Sequence, residues 1–125
     1  MTKLCDIDSN RLAKAKERYP AASTFADWRV MLEKKGKEID AVTVSTPDHT
    51  HFPASLAAIR LGKHVYCQKP LTHTVWEART LANAARKARV ATQMGNQAMS
   101  EPKLQREAEV LKAGAIGKIQ EIHLW

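Results

Sequence analysis

Four short segments carry side chains able to bind a small ligand or move a proton on it. Cys5-Asp6-Ile7-Asp8 offers carboxylates, and Ser45-Thr46-Pro47-Asp48-His49-Thr50-His51 offers hydroxyls, ring nitrogens and backbone amides. Gln68-Lys69-Pro70-Leu71 offers an amine, and Gly95-Asn96-Gln97 offers amides behind a glycine that permits close backbone approach. A lysine held in a cleft can donate a proton or fix a substrate hydroxyl. An acidic residue at the end of a strand can accept from both hydroxyls of a ribose and repel a 2′-phosphate. Taken singly, each segment also has an ordinary explanation: a helix cap at Asp6 or Asp8, a polar turn, a surface lysine, a helix-entry turn. His49, His51 and Asp48 lie close in sequence, but no further ligand set stands at a recognisable metal spacing, so no metal site is expected.

The elements that must position these segments alternate. Lys3 to Asp6 reads as the end of a strand. A helix follows, capped by Asp8 or Ser9, with Leu12, Ala15 and Tyr19 on one face and Pro20 after it. Ser23 to Phe25 reads as a short strand. Asp27 caps a helix with Trp28, Met31 and Leu32 inward, which Gly36 stops. Ile39 to Ser45 is a β-branched run of the kind buried on both faces of a sheet. Pro53 to Leu61 is a helix ending at Gly62, and His64 to Cys67 is a strand. Val75, Ala78, Leu81, Ala82 and Ala85 line one face of a longer helix, and Val90 to Met94 is a strand. Pro102 opens a helix with Leu104, Ala108 and Leu111 inward. Ile119 to Trp125 starts a further strand. Such alternation predicts an α/β fold with a doubly wound parallel sheet, whose sites lie beyond the C-terminal ends of the strands. All four chemical segments sit there.

The chain has 125 residues, 44% hydrophobic and 26% charged, which is ordinary globular composition. It has no long apolar run, so no membrane span is expected. Met1 to Asp8 is too short and too polar for a signal peptide. Location is left open, with the cytoplasm as default. The net charge of +7 is spread along helical stretches without aromatic interleaving, which predicts solvated helix faces rather than a nucleic-acid surface. Cys5 and Cys67 form no Cys-x-x-Cys and read as buried small hydrophobes.

Together the segments are far more specific than any one. Thr46-Pro47-Asp48-His49-Thr50-His51, Gln68-Lys69-Pro70-Leu71, Gly95-Asn96-Gln97 and Gly114-Ala115-Ile116-Gly117-Lys118-Ile119 follow in that order. The chain thereby resembles the glucose-fructose oxidoreductase and inositol dehydrogenase (Gfo/Idh/MocA) family over essentially its whole length. The resemblance implies a Rossmann domain over residues 1–117 and the first strand of a second α/β domain, the substrate domain, over 118–125. It implies a nicotinamide-dependent oxidoreductase acting on a sugar, polyol or related carbohydrate by hydride transfer. The implied cofactor is NAD, with NADP disfavoured by Asp6. By resemblance Asp6 holds the adenosine ribose. Ser45, Thr46 and Pro47 line the cofactor with His51 close by. Lys69 is the catalytic lysine beside nicotinamide and substrate, next to Gln68, and Asn96 and Gln97 lie near the nicotinamide ribose. Relatives often pair through the second domain, so the whole protein is expected to be a homo-oligomer.

The sequence departs from the family in three ways. Gln68 stands where glutamate is usual, keeping the shape and losing the charge; this is a variant found within the family. None of the five glycines makes a G-x-G-x-x-G, which belongs about 20 residues before the ribose acid. The first strand and the helix whose N-terminus binds pyrophosphate are therefore expected upstream of Met1, and the sheet should have a gap where that strand belongs. The family's Asp-x-x-x-His motif belongs to the second domain. The 125 residues alone are accordingly expected to be inactive. A glycosidase using bound NAD for transient oxidation and a non-catalytic dinucleotide-binding protein are the competing readings.

Overall fold

Residues 3–123 are described by a computed structural model. They fall into two units, Met1–Gly95 and Asn96–Trp125.

In the first unit, β1 (Lys3–Cys5) leads into α1 (Ser9–Arg18) and then β2 (Ser23–Phe25). The Asp8 carboxylate accepts from the Asn10 and Arg11 amides and caps α1, so Asp8 is the cap that the sequence had left open with Ser9. Leu12, Ala15 and Tyr19 lie on the half-buried face of α1. Asp27 caps α2 (Trp28–Lys35), which buries Leu32. α2 ends at Lys35 with Gly36 as its C-cap, as expected, and the chain continues from Gly36 in right-handed backbone as a 3-10 turn, Gly36–Glu38. Next come β3 (Ala41–Val44), a 3-10 turn at Asp48–Thr50 and α3 (His51–Arg60). Pro53 sits in the first turn of α3, where its missing N–H would have no partner in any case. Gly62, at φ +73°, ends the helix. The unit closes with β4 (His64–Gln68), α4 (Val75–Ala88) and β5 (Thr92–Gly95).

All strand pairs are parallel, in two sheets of order β1-β2 and β3-β4-β5. β1 and β3 thus each keep one edge unpaired among the described strands, the break expected where a first Rossmann strand belongs. An ion pair lies between these two stretches of chain. Glu38, just before β3, accepts from Lys3 of β1 at 2.8 Å and from Lys35 at 2.8 Å.

The core sits between β3, β4 and the pair α3–α4. Val44, Ala54, Ala58, Ile59, Val65, Cys67, Leu81 and Ala85 form one buried cluster. Full burial of a side chain such as Ile59 is worth roughly 1.5–3 kcal/mol. Cys67 is wholly buried, as expected, and burial pushes its thiol pKa up, partly offset by the neighbouring Ser55 hydroxyl. Ser55 Oγ is itself buried without a partner of hydrogen-bond geometry, beside a small cavity of about 100 Å³ under β4. Cys5 is only half-buried.

Three expectations need correction. β3 is not buried on both faces. Val42 and Val44 turn to the helices while Ala41 and Thr43 are exposed, because α3 and α4 cover one face of this sheet. In the second unit, α5 (Pro102–Lys112) has no buried residue. Leu104, Ala108 and Leu111 are exposed, since the described residues of this unit hold one α-helix and no layer to receive them. The strand expected from Ile119 does not form over the described residues to His123, because a strand needs a partner and the unit supplies none; Leu124 and Trp125 lie outside the described residues.

The Lys3 and Lys35 hydrogen bonds, in that order, lower the Glu38 pKa from its ordinary 4.5 to about 2. A carboxyl group depressed in the folded state adds stability above its unfolded value, and that contribution fades as pH falls from about 4.5 through about 2. Glu38→Gln should therefore lower the urea midpoint at neutral pH and flatten its acid dependence in that window. Parallel curves for the two proteins would contradict the pairing.

Candidate functional site

Parallel pairing brings three chain exits to one edge. Val44 is level with Cys67 in the β3–β4 register, so the next residue, Ser45, falls level with Gln68, and Gln68 is itself paired with Gly95. Ser45-Thr46-Pro47, Lys69-Pro70 and the end of β5 therefore leave the sheet side by side. Ser45, Thr46, Pro47 and Lys69 are exposed. The Lys69 ammonium has no hydrogen-bond or ion-pair partner among the described residues, so its three donors face solvent or a ligand. The peptide bond between Lys69 and Pro70 is cis.

Gly95 is required by close approach. A Cβ there would lie 2.7 Å from Gln68 Oε1 and 3.0 Å from both Cε1 and the hydroxyl of Tyr66. Both side chains belong to β4, so the glycine lets β4 and its neighbour end flush.

His51 opens α3 and is 1% exposed. Its Nδ1 lies 2.6 Å from the Pro70 carbonyl oxygen and its Nε2 2.8 Å from the Thr46 carbonyl oxygen. A carbonyl only accepts, so each contact is a hydrogen bond when the facing nitrogen carries hydrogen. A neutral ring donates through one nitrogen and a protonated ring through both. The ring edge is spent on these two backbone oxygens rather than offered to the cleft. The Thr50 hydroxyl adds a bond to the Pro47 carbonyl at 2.8 Å.

Beyond Lys69, a capping box fixes the start of α4. Glu77 N donates to Thr74 Oγ1 at 3.2 Å, while Glu77 Oε2 accepts from the Thr74 and His73 amides at 3.0 and 2.9 Å. The Thr-x-x-Glu spacing of this capping box is legible in the sequence. The bridging role of His51 had no signal there, since its two partners are backbone oxygens.

At the end of β1, Asp6 is half-buried. Its amide donates to Phe25 O at 3.2 Å, and its Oδ1 accepts from the Asp8 amide at 2.9 Å. That bond turns the chain into α1 and leaves Oδ2 without a partner among the described residues. Burial first, then the nearby Asp27 and Asp6 carboxylates, pushes the Cys5 thiol pKa up. Asn96 and Gln97 are exposed and belong to the second unit. Among the described residues no group of three or more His, Cys, Asp or Glu could hold a metal ion, and no helix is long and apolar enough to cross a membrane.

Loops clustered beyond the C-terminal ends of parallel strands, with a carboxylate at one strand end and an amine at another, lie where open α/β folds bind their ligands. Comparison with known proteins sharpens this class. Residues 1–96 match the family described as "Oxidoreductase family, NAD-binding Rossmann fold". The chain is 33% identical over 120 residues to inositol 2-dehydrogenase 2 of Saccharopolyspora erythraea, covering 94% of this chain and 34% of that protein. It is 28% identical over 116 residues to levoglucosan dehydrogenase of Pseudarthrobacter phenanthrenivorans, covering 93% and 29%. Among solved structures, it superposes on a 3-ketoreductase of Actinomadura kijaniata, in complex with TDP-benzene and NADP, with a TM-score of 0.84 and 28% identity, covering 95% of this chain and 36% of that one. The myo-inositol 2-dehydrogenase of Lactobacillus plantarum gives a TM-score of 0.85 and 25% identity, covering 95% and 35%. The chain belongs to the Gfo/Idh/MocA oxidoreductase family. It spans about a third of the length of these relatives.

Relief of glycine's conformational freedom would make Gly95→Ala stabilising by about 0.5–1 kcal/mol if space were free. The Gln68 side chain can swing aside, but the Tyr66 ring at 3.0 Å is held in β4 and should reverse the sign, to a loss of about 1 kcal/mol. Urea denaturation of the two proteins decides. A gain in stability would contradict the close approach.

Proposed function

We propose that this chain is part of the cofactor domain of an NAD-dependent oxidoreductase that oxidises a carbinol carbon of a sugar or polyol. The observation that carries this reading is the exposed, partnerless Lys69 ammonium at the end of β4, beside the Ser45-Thr46-Pro47 exit, in a chain of this family. Relatives named as inositol, levoglucosan and D-apiose dehydrogenases support the substrate class.

The residues present fit the ribose and nicotinamide ends of the cofactor. Asp6 Oδ2 would accept from the adenosine ribose hydroxyls, and the same carboxylate would repel a 2′-phosphate, favouring NAD over NADP. Ser45, Thr46 and Pro47 would line the cofactor, with Gln68 beside Lys69 and with Asn96 and Gln97 toward the nicotinamide ribose. Donors for the pyrophosphate would come from a glycine-rich loop, which this sequence does not contain. When bound, the nicotinamide supplies the hydride-accepting carbon. Lys69 donates a hydrogen bond to the reacting hydroxyl, orients it and helps it lose its proton. The family resemblance assigns the main base to a histidine of the second domain. The proposal extends to residues 118–125 as the entry into that domain, whose sheet would supply the missing strand partner.

Two substitutions test the reading in an oxidoreductase that carries this chain with its glycine-rich loop and substrate domain. Lys69→Ala should lower kcat by about 100-fold or more, the range of general acid–base catalysis, while NAD affinity changes little. Near-normal turnover would remove Lys69 from the reaction. Asp6→Ala should erode selectivity for NAD over NADP, measured as the ratio of kcat/KM values. An unchanged ratio would sink the ribose assignment.

A further inference from the structure

We propose that His51 is a positioning residue that joins the two loops of the site, fixing the Thr46-Pro47 exit and the Lys69-Pro70 exit against each other. The inference rests on the functional reading above for its kinetic consequence, but its structural content stands apart from any activity. The sequence suggested that His51 lies close to the cofactor; the proposal instead gives it an effect on ligands through the backbone of both loops.

Three observations converge on this role. His51 is buried at the first residue of α3, so its ring is held by the core rather than by solvent-exposed chain. Its two nitrogens point to carbonyl oxygens on two different exits, at 2.6 and 2.8 Å, within hydrogen-bond range. Those oxygens belong to residues directly beside the chemical groups: Pro70 follows Lys69, and Thr46 is itself in the loop assigned to the cofactor. β3 and β4 are paired only as far as Val44 and Cys67. Beyond that point no ladder pairing joins the two exits, and the imidazole bridges them when both of its nitrogens carry hydrogen.

The two nitrogens can be tested separately. An asparagine amide nitrogen falls near the place of Nδ1, and a glutamine amide nitrogen near that of Nε2. His51→Asn should keep the bond to Pro70 and release Thr46. His51→Gln should keep Thr46 and release Pro70. In nitrogen-15 spectra of the chain, His51→Asn should move the amides of Thr46 and Asp48 most, and His51→Gln those of Lys69 and Leu71. In an active oxidoreductase carrying this chain, His51→Asn should mainly raise KM for NAD, and His51→Gln should mainly lower kcat. Each change should be about three- to tenfold, the size of one hydrogen bond.

Opposite patterns in the two variants support the bridge. The same resonances moving in both variants, or loss of stability with an identical kinetic split, would overturn it and leave His51 a packing residue. If neither variant folds, the unsubstituted chain decides. Two protected His51 ring hydrogens, one on Nδ1 and one on Nε2, support the bridge; a single protected ring hydrogen, or ring hydrogens exchanging at the rate of free imidazole, overturn it. Segregated resonance shifts without turnover would leave the bridge standing and remove the catalytic reading. Turnover with unsegregated shifts would do the reverse.

Discussion

Parallel register between β3, β4 and β5 is the constraint from which the site follows. In a parallel sheet every strand runs out at the same edge, so chain segments far apart in sequence meet there without contacts of their own. Val44, Cys67 and Met94 fall in one row for this reason, and Ser45, Gln68 and Gly95 are the residues that follow it. The row survives because the core beneath it is continuous, with Val44, Val65 and Cys67 packed on α3 and α4. A one-residue slip would turn these side chains to the open face and misplace each exit. The backbone beyond the row is then held by local devices: the Thr50 hydroxyl on Pro47, the capping box before α4 and the imidazole of His51.

The same constraint leaves strand edges unpaired among the described strands. β1 and β3 each pair on one side only, and the Lys3–Glu38 ion pair lies between their two stretches of chain. Exposed ion pairs contribute little to stability, so this contact does not replace a ladder of backbone hydrogen bonds. The sheet edges and the exposed face of β3 fit a chain that spans about a third of its relatives' length. They also explain why Asp6 and Lys69 stand at the ends of different sheets.

Much of this was legible in the sequence because it rests on local chemistry. Caps at Asp8 and Asp27, the stop at Gly62 and Pro102 at the first turn of α5 follow from which backbone groups a helix end leaves unpaired. The strand-end placement of Asp6, Ser45 and Lys69 followed from alternation alone. What failed depends on neighbours. Ala41 and Thr43 look like core by their pattern but lack a covering layer among the described residues, and Leu104 and Leu111 make an apolar stripe that no described residue of their unit buries. Ile119 to His123 has strand propensity without a strand to pair with. His51 was visible as a residue, but its partners are carbonyl oxygens that carry no sequence signature.

The measurement that tests the account most directly follows the hydride. An oxidoreductase carrying this chain would be given NAD and a polyol such as inositol, deuterated at its carbinol carbons. The account predicts that deuterium appears at C4 of the reduced nicotinamide and that turnover slows when the transferred hydrogen is heavy. Bound NAD with no label transferred, across inositols and simple sugars, would contradict it.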